Sequence, residues 1–218
     1  MQVCRYIFQL CCAIRECHRH QVIHRDIKPE NLLVNPDHTL KLCDFGFARV
    51  VDMKDPRHLT DYVATRWYRA PELLVGSTTY GPGVDIWAIG CILGELVDGQ
   101  PSFAGDSEID QLYIIQKIMG PLTPGHLELF LKNDRFSGFK FPDMSRPEKL
   151  RGKYGRKLSK RALSFMNSLL QMDPKCRAST EACLQHPFFS HFTASQDKRD
   201  EQIVNERQRL ELNGWISG

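Results

Sequence analysis

The chain has 218 residues, 42% hydrophobic, 25% charged and 10% aromatic, with a formal net charge of +3. That length fits one globular unit with a short tail, and the composition excludes wholesale disorder and collagen-like order. The small charge bias argues against nucleic acid or an anionic membrane as the main partner. Cys4, Ile7, Phe8, Cys11, Ile14 and His18 recur at three- and four-residue spacings, so a helix over 2–20 opens the chain. A polar loop, 24–31, follows. Two short apolar runs, 32–34 and 39–43, flank the turn-forming Asn35-Pro36-Asp37-His38, which predicts a loop feeding a β-hairpin. From Asp44 to Glu72 periodicity is lost over a length that suits a functional loop better than a connector. Helical signals return at 84–97, 107–119, 160–172 and 180–185, so the fold class is mainly α with a small β-hairpin.

Eight scattered cysteines, two of them adjacent at Cys11 and Cys12, suit the reduced thiols of a cytoplasmic or nuclear protein. The longest apolar run, 86–94, is far short of the ~20 residues that cross a bilayer, so no membrane insertion is expected. Residues 146–161 hold eight basic side chains against Glu148 alone and read as a solvated loop and helix start, with docking as the lesser option. Residues 193–218 read as a charged tail. Cys176, Cys183, His186 and His191 superficially offer four zinc ligands, but structural zinc sites pair their cysteines at two- to four-residue spacing, and zinc is not expected. His18, His20 and His24 have no carboxylate between them to act as a base and read as polar ends of a helix and loop. The sequence has no nucleophile elbow, Walker A loop or G-x-G-x-x-G.

The chemistry concentrates in three ordered motifs within 49 residues: His24-Arg25-Asp26-Ile27-Lys28-Pro29-Glu30-Asn31, then Asp44-Phe45-Gly46, then Ala70-Pro71-Glu72. Together they resemble the catalytic loop, magnesium-binding loop and activation-segment end of the eukaryotic protein kinases. The resemblance implies a protein-kinase-like large lobe over 1–192. It also implies ATP and Mg2+ as cofactors and phosphoryl transfer, a reaction that depends on positioning and charge neutralisation. By the same resemblance Asp26 orients the substrate hydroxyl and accepts its proton, and Lys28 neutralises the transferring phosphate. Asn31 and Asp44 coordinate magnesium through oxygen, which suits a hard cation. Leu32 and Leu33 lie under the adenine, and His24 stacks on Phe45, both with apolar burial. Asp85 holds the catalytic-loop backbone and Glu72 pairs with Arg177.

Lys28 two residues after Asp26, and Thr65 ahead of Ala70-Pro71-Glu72, resemble serine/threonine rather than tyrosine kinases. The run Val63-Ala64-Thr65-Arg66-Trp67-Tyr68-Arg69 looks like the cyclin-dependent and mitogen-activated kinase group, in which the arginine at the Arg69 position favours proline after the acceptor. Thr60-Asp61-Tyr62 places two hydroxyls where an upstream kinase would act. Each phosphate would bring about −1.5 to −2 charge near Arg25, Arg66 and Arg69. This spacing looks most like the cyclin-dependent kinase-like kinases. Protein substrates are the implied partners.

Only 23 residues precede His24, and they read as one helix. The Gly-rich loop, the ATP-binding lysine and the helix that meets a cyclin are therefore expected to be absent from this chain. The small ATP-binding lobe is expected to be absent with them, and cyclin binding is not expected. Activity of the chain alone should then be near background. A second reading stays open, a catalytically silent binding or scaffold form that holds kinase substrates or regulators.

Overall fold

The structure is a computed structural model that describes residues 2–50 and 66–192. Helix α1 (Gln2–Arg19) buries Ile7, Leu10, Cys11 and Ile14, the apolar stripe that the sequence spacing predicts. The hairpin forms from β2 (Leu32–Val34) and β3 (Leu40–Leu42), antiparallel with Leu32 opposite Leu42 and Val34 opposite Leu40. The strand predicted over 39–43 is shorter at both ends. Thr39 is held in the turn, where its N–H donates to Asp37 Oδ1, and the Cys43 N–H donates to the Asn31 carbonyl.

The single-hairpin expectation needs correction. Val22–Ile23 (β1) pairs antiparallel with Arg49–Val50 (β4) in a second two-stranded sheet. Strands of two residues are too short to show an alternation in sequence, and only the returning chain brings them together.

Helix α2 (Pro71–Leu74) is a single turn started by proline. Helix α3 (Gly83–Asp98) is buried continuously from Val84 to Gly94, so it forms the axis of the core rather than a surface helix. It ends at Gly99, whose φ of 69° is the left-handed conformation that glycine adopts without strain. Around it lie α4 (Glu108–Met119), α5 (Pro124–Lys132), α6 (Lys149–Tyr154), α7 (Lys160–Leu169) and α8 (Thr180–Leu184). Trp87 stacks on Phe103 at 5.6 Å between ring centres, and Ile89 and Leu93 are fully enclosed.

Helix α7 stops three residues before the predicted end. Leu170 leaves the helical region at φ −90°, ψ 83°, and the Ser168 carbonyl turns to accept from the Ala178 N–H. Helix α6 falls inside the basic stretch that reads as solvated. Its Tyr154 is buried, with the hydroxyl donating to Ser102 Oγ at 3.0 Å, and Lys153 donates to the Ser102 carbonyl at 2.6 Å. Among the described residues no helix is long and apolar enough to cross a membrane. Cys183 is buried, Cys176 is exposed, and His186 caps the Phe188 N–H with its Nδ1.

Candidate active site

The loop over 24–31 is pinned from the first turn of α3. Asp85, 1% exposed, accepts the His24 N–H at 2.9 Å and the Arg25 N–H at 2.8 Å, one on each carboxylate oxygen, and His18 Nε2 at 2.8 Å. The expectation for Asp85 describes this geometry. These bonds hold Arg25 at φ 69°, a left-handed conformation costly for a residue with a Cβ. His18, expected to be only a polar helix end, anchors the loop through Asp85. No signal in the sequence marks it.

Beyond Arg25 the loop turns Asp26 inward, 8% exposed. Its Oδ2 receives Lys28 Nζ at 2.8 Å and Asn31 Nδ2 at 3.0 Å, while Asn31 Nδ2 also donates to the Asp26 carbonyl at 2.8 Å. Among the described residues none donates to Oδ1, so the two oxygens of the carboxylate differ, Oδ2 being clamped.

The hairpin brings the second acid in. Asn31 precedes β2 and Cys43 follows β3, and both the N–H and the Sγ of Cys43 reach the Asn31 carbonyl, at 3.0 and 3.3 Å. Asp44 thus follows directly on a residue bonded to Asn31. It stands at φ 62°, a region that aspartate tolerates better than most residues, and its Oδ1 accepts the Gly46 N–H at 3.2 Å. The amide of Asn31 spends its N–H groups on Asp26, which leaves Oδ1 as the acceptor. Two oxygen donors on adjoining backbone fit a hard divalent cation.

His24 is fully buried and meets Phe45 edge to face at 4.8 Å, the expected stack. Burial of both partners is not observed. Phe45 is 49% and Leu33 54% exposed, because Phe45 lies in the loop beyond β3 and Leu33 is on a face of the β2–β3 ribbon that no described element covers.

The arginines occupy separate places. Arg25 donates through Nε to the Phe47 carbonyl at 2.5 Å and through a terminal nitrogen to the Tyr80 hydroxyl at 2.6 Å. Arg66 reaches the Asp106 carbonyl at 3.1 Å, while its buried Nε has no hydrogen-bond partner among the described residues. Arg69 stands 4.0 Å from Glu108, which also meets Arg135 at 3.3 Å. Thr60, Tyr62 and Thr65 lie outside the described residues. Glu72 and Arg177 form the expected pair, bidentate at 2.6 and 2.7 Å. Sequence reasoning missed Tyr80, a loop tyrosine with no motif around it.

The protein kinase domain family model matches residues 1–189. Cyclin-dependent kinase-like 5 of Mus musculus is 53% identical over 184 residues, 84% of this chain and 20% of that protein. Cyclin-dependent kinase-like 2 of Oryctolagus cuniculus is 50% identical over 185 residues, 85% of this chain and 32% of that protein. For Cyclin-dependent kinase-like 4 of Mus musculus the identity is 44% over 207 residues, 95% of this chain and 60% of that protein. The chain therefore spans between about a fifth and three fifths of the length of these relatives.

Proposed function

The chain belongs to the eukaryotic protein kinase family and resembles its cyclin-dependent kinase-like members, and from that premise we propose that it carries the catalytic large lobe of a serine/threonine protein kinase. The observation that carries this reading is the divided carboxylate of Asp26, with Oδ2 held by Lys28 and Asn31 and no described residue donating to Oδ1. Asp26 Oδ1 orients the serine or threonine hydroxyl of a protein substrate and takes its proton. Lys28, fixed on the same carboxylate, places a positive charge beside the group in transfer. Asn31 Oδ1 and the Asp44 carboxylate are the oxygens that would hold Mg2+. When bound with ATP, the ion neutralises charge on the phosphates.

Leu33 offers an apolar surface to the adenine. Leu33, Val34 and Phe45, each within three residues of Asn31 or Asp44, are exposed and support a small lobe packing there to complete the nucleotide site. On this reading residues 1–192 are the large lobe, 193–218 are a tail, and the lobe by itself turns over near background. Arg69 supports a preference for proline after the acceptor, and Thr60 and Tyr62 are the sites for an upstream kinase.

The test is Asp26→Asn in the protein carrying this sequence. Phosphoryl transfer from labelled ATP should fall by a factor of ~10^2 to 10^4 with ATP binding retained. Unchanged turnover would refute the assignment. A degenerate peptide library reads the proline preference, and indifference at the position after the acceptor would remove that part.

A further inference from the structure

The turn over 66–69 is bound to one short piece of chain, 105–111, that leads into the start of α4. Within that piece the Gln111 side chain is fully buried, and both ends of its amide are used. Its Oε1 accepts the Gly105 N–H at 2.8 Å, and its Nε2 donates to the Trp67 carbonyl at 3.4 Å. The Trp67 indole N–H closes the circuit on the Gly105 carbonyl at 3.1 Å. Only glycine fits at 105, because a methyl group there would collide with the backbone nitrogen and Cα of Gln111. A buried amide satisfied at both ends fixes its neighbours, since displacing them strands polar groups away from water.

The same turn is tied down on its other sides. The Arg69 N–H donates to the Arg66 carbonyl at 3.0 Å, and the Tyr68 hydroxyl donates to Glu95 Oε2 at 2.6 Å. Burial, then Glu95, then Glu30 of the catalytic loop push the Tyr68 hydroxyl above its ordinary pKa, so the turn lies within electrostatic reach of that loop.

On the kinase reading a protein substrate lies along this turn, with the residue after the acceptor at Arg69. We propose that Gln111 is a positioning residue for that substrate: through Trp67 it holds the turn where Arg69 meets a proline after the acceptor, and so it governs which peptides bind. The inference rests on the kinase reading and deepens it; the hydrogen-bonded circuit stands without it.

The experiment follows the Trp67 indole N–H by NMR on the protein carrying this sequence, with Trp67→Phe to assign the resonance. A peptide with proline after its serine is titrated beside a twin with alanine there. The proline peptide is expected to shift the Trp67 resonance saturably and to bind more tightly than its twin. Gln111→Leu removes both amide bonds and keeps the bulk. It should displace the Trp67 resonance and retain that of Trp87, which is enclosed in the core and reports the fold. The proline peptide should then bind about five- to tenfold more weakly, with an affinity close to that of its twin. Gln111→Glu keeps an acceptor for the Gly105 N–H but puts a carboxylate against the Trp67 carbonyl. It should act in the same way, and it carries the test if the leucine variant does not fold.

Absence of a saturable Trp67 shift with the proline peptide overturns the inference, as does unchanged affinity in a variant whose Trp67 resonance has moved. Equal weakening of both peptides makes Gln111 a packing residue and overturns its part in specificity. A Trp67 resonance unmoved in the folded variants overturns the circuit. Unchanged turnover in Asp26→Asn would remove the kinase reading and leave these affinities as they are, so the two failures are distinguishable.

Discussion

Glu72 and Arg177 stand 105 positions apart, yet their charges lie fully inside the protein, with Arg177 further held by the Gln171 and Gly83 carbonyls and placed 5.1 Å from the Trp87 ring. A buried pair of this kind is expensive to break, because removing one partner strands the other charge away from water. Glu72→Ala should therefore destabilise the fold by about 3–5 kcal/mol, read as a lower urea midpoint at neutral pH. A loss below 1 kcal/mol would show that Arg177 finds another counter-charge. The cluster of Asp26, Lys28 and Asn31 was legible in sequence because the three lie within six consecutive positions, where spacing and geometry are nearly the same thing. The hydroxyl of Tyr80 on Arg25 was not legible, since the contact crosses 55 positions and involves a residue type common in any loop.

At the scale of elements, α3 depends on close approach at two glycines. A methyl group at Gly94 would come within 2.1 Å of Ser102 Oγ and 2.6 Å of the Tyr154 hydroxyl, and one at Gly90 within 2.6 Å of Leu170 Cγ. Gly94→Ala should cost about 1–3 kcal/mol by overpacking, despite alanine's better helix propensity. A rise in melting temperature would contradict it. Ser107 caps α4 by accepting the Asp110 N–H at 3.1 Å, so Ser107→Ala should cost ~1 kcal/mol in a denaturant titration.

The long helices α1, α3 and α4 were readable to within one or two residues from periodicity and end signals. Helix α5 had a usable signal, Thr123 at the cap and Pro124 at the first helical position, which sequence reasoning passed over. Helix α6, at six residues, is too short to establish a period.

For the molecule as a whole, two histidines couple folding to pH. Burial pushes His126 below its ordinary value of 6.5, and its enclosed Nδ1 has no hydrogen-bond partner among the described residues; neighbouring Glu72 and Asp173 oppose the shift while Arg177 adds to it. Burial lowers His186 in the same direction. The unfolded chain takes up these protons near pH 6.5, whereas the folded chain resists them to lower pH. Stability is thus complete above about pH 6.5 and declines as the pH falls below it. Thermal melts at pH 7.5 and 5.5 should show the decline, and His126→Leu should reduce it. An unchanged difference in the variant would place the dependence elsewhere.

Local information was enough for the mainly α class, the opening helix, the hairpin and the proximity of Asp26, Lys28 and Asn31, because each follows from residues close in sequence. The β1–β4 sheet, the bond from His18 to Asp85 behind the loop, and the exposure of Leu33 and Phe45 were decided by the tertiary structure. Each depends on which distant segments share a face, and chain spacing carries no record of that.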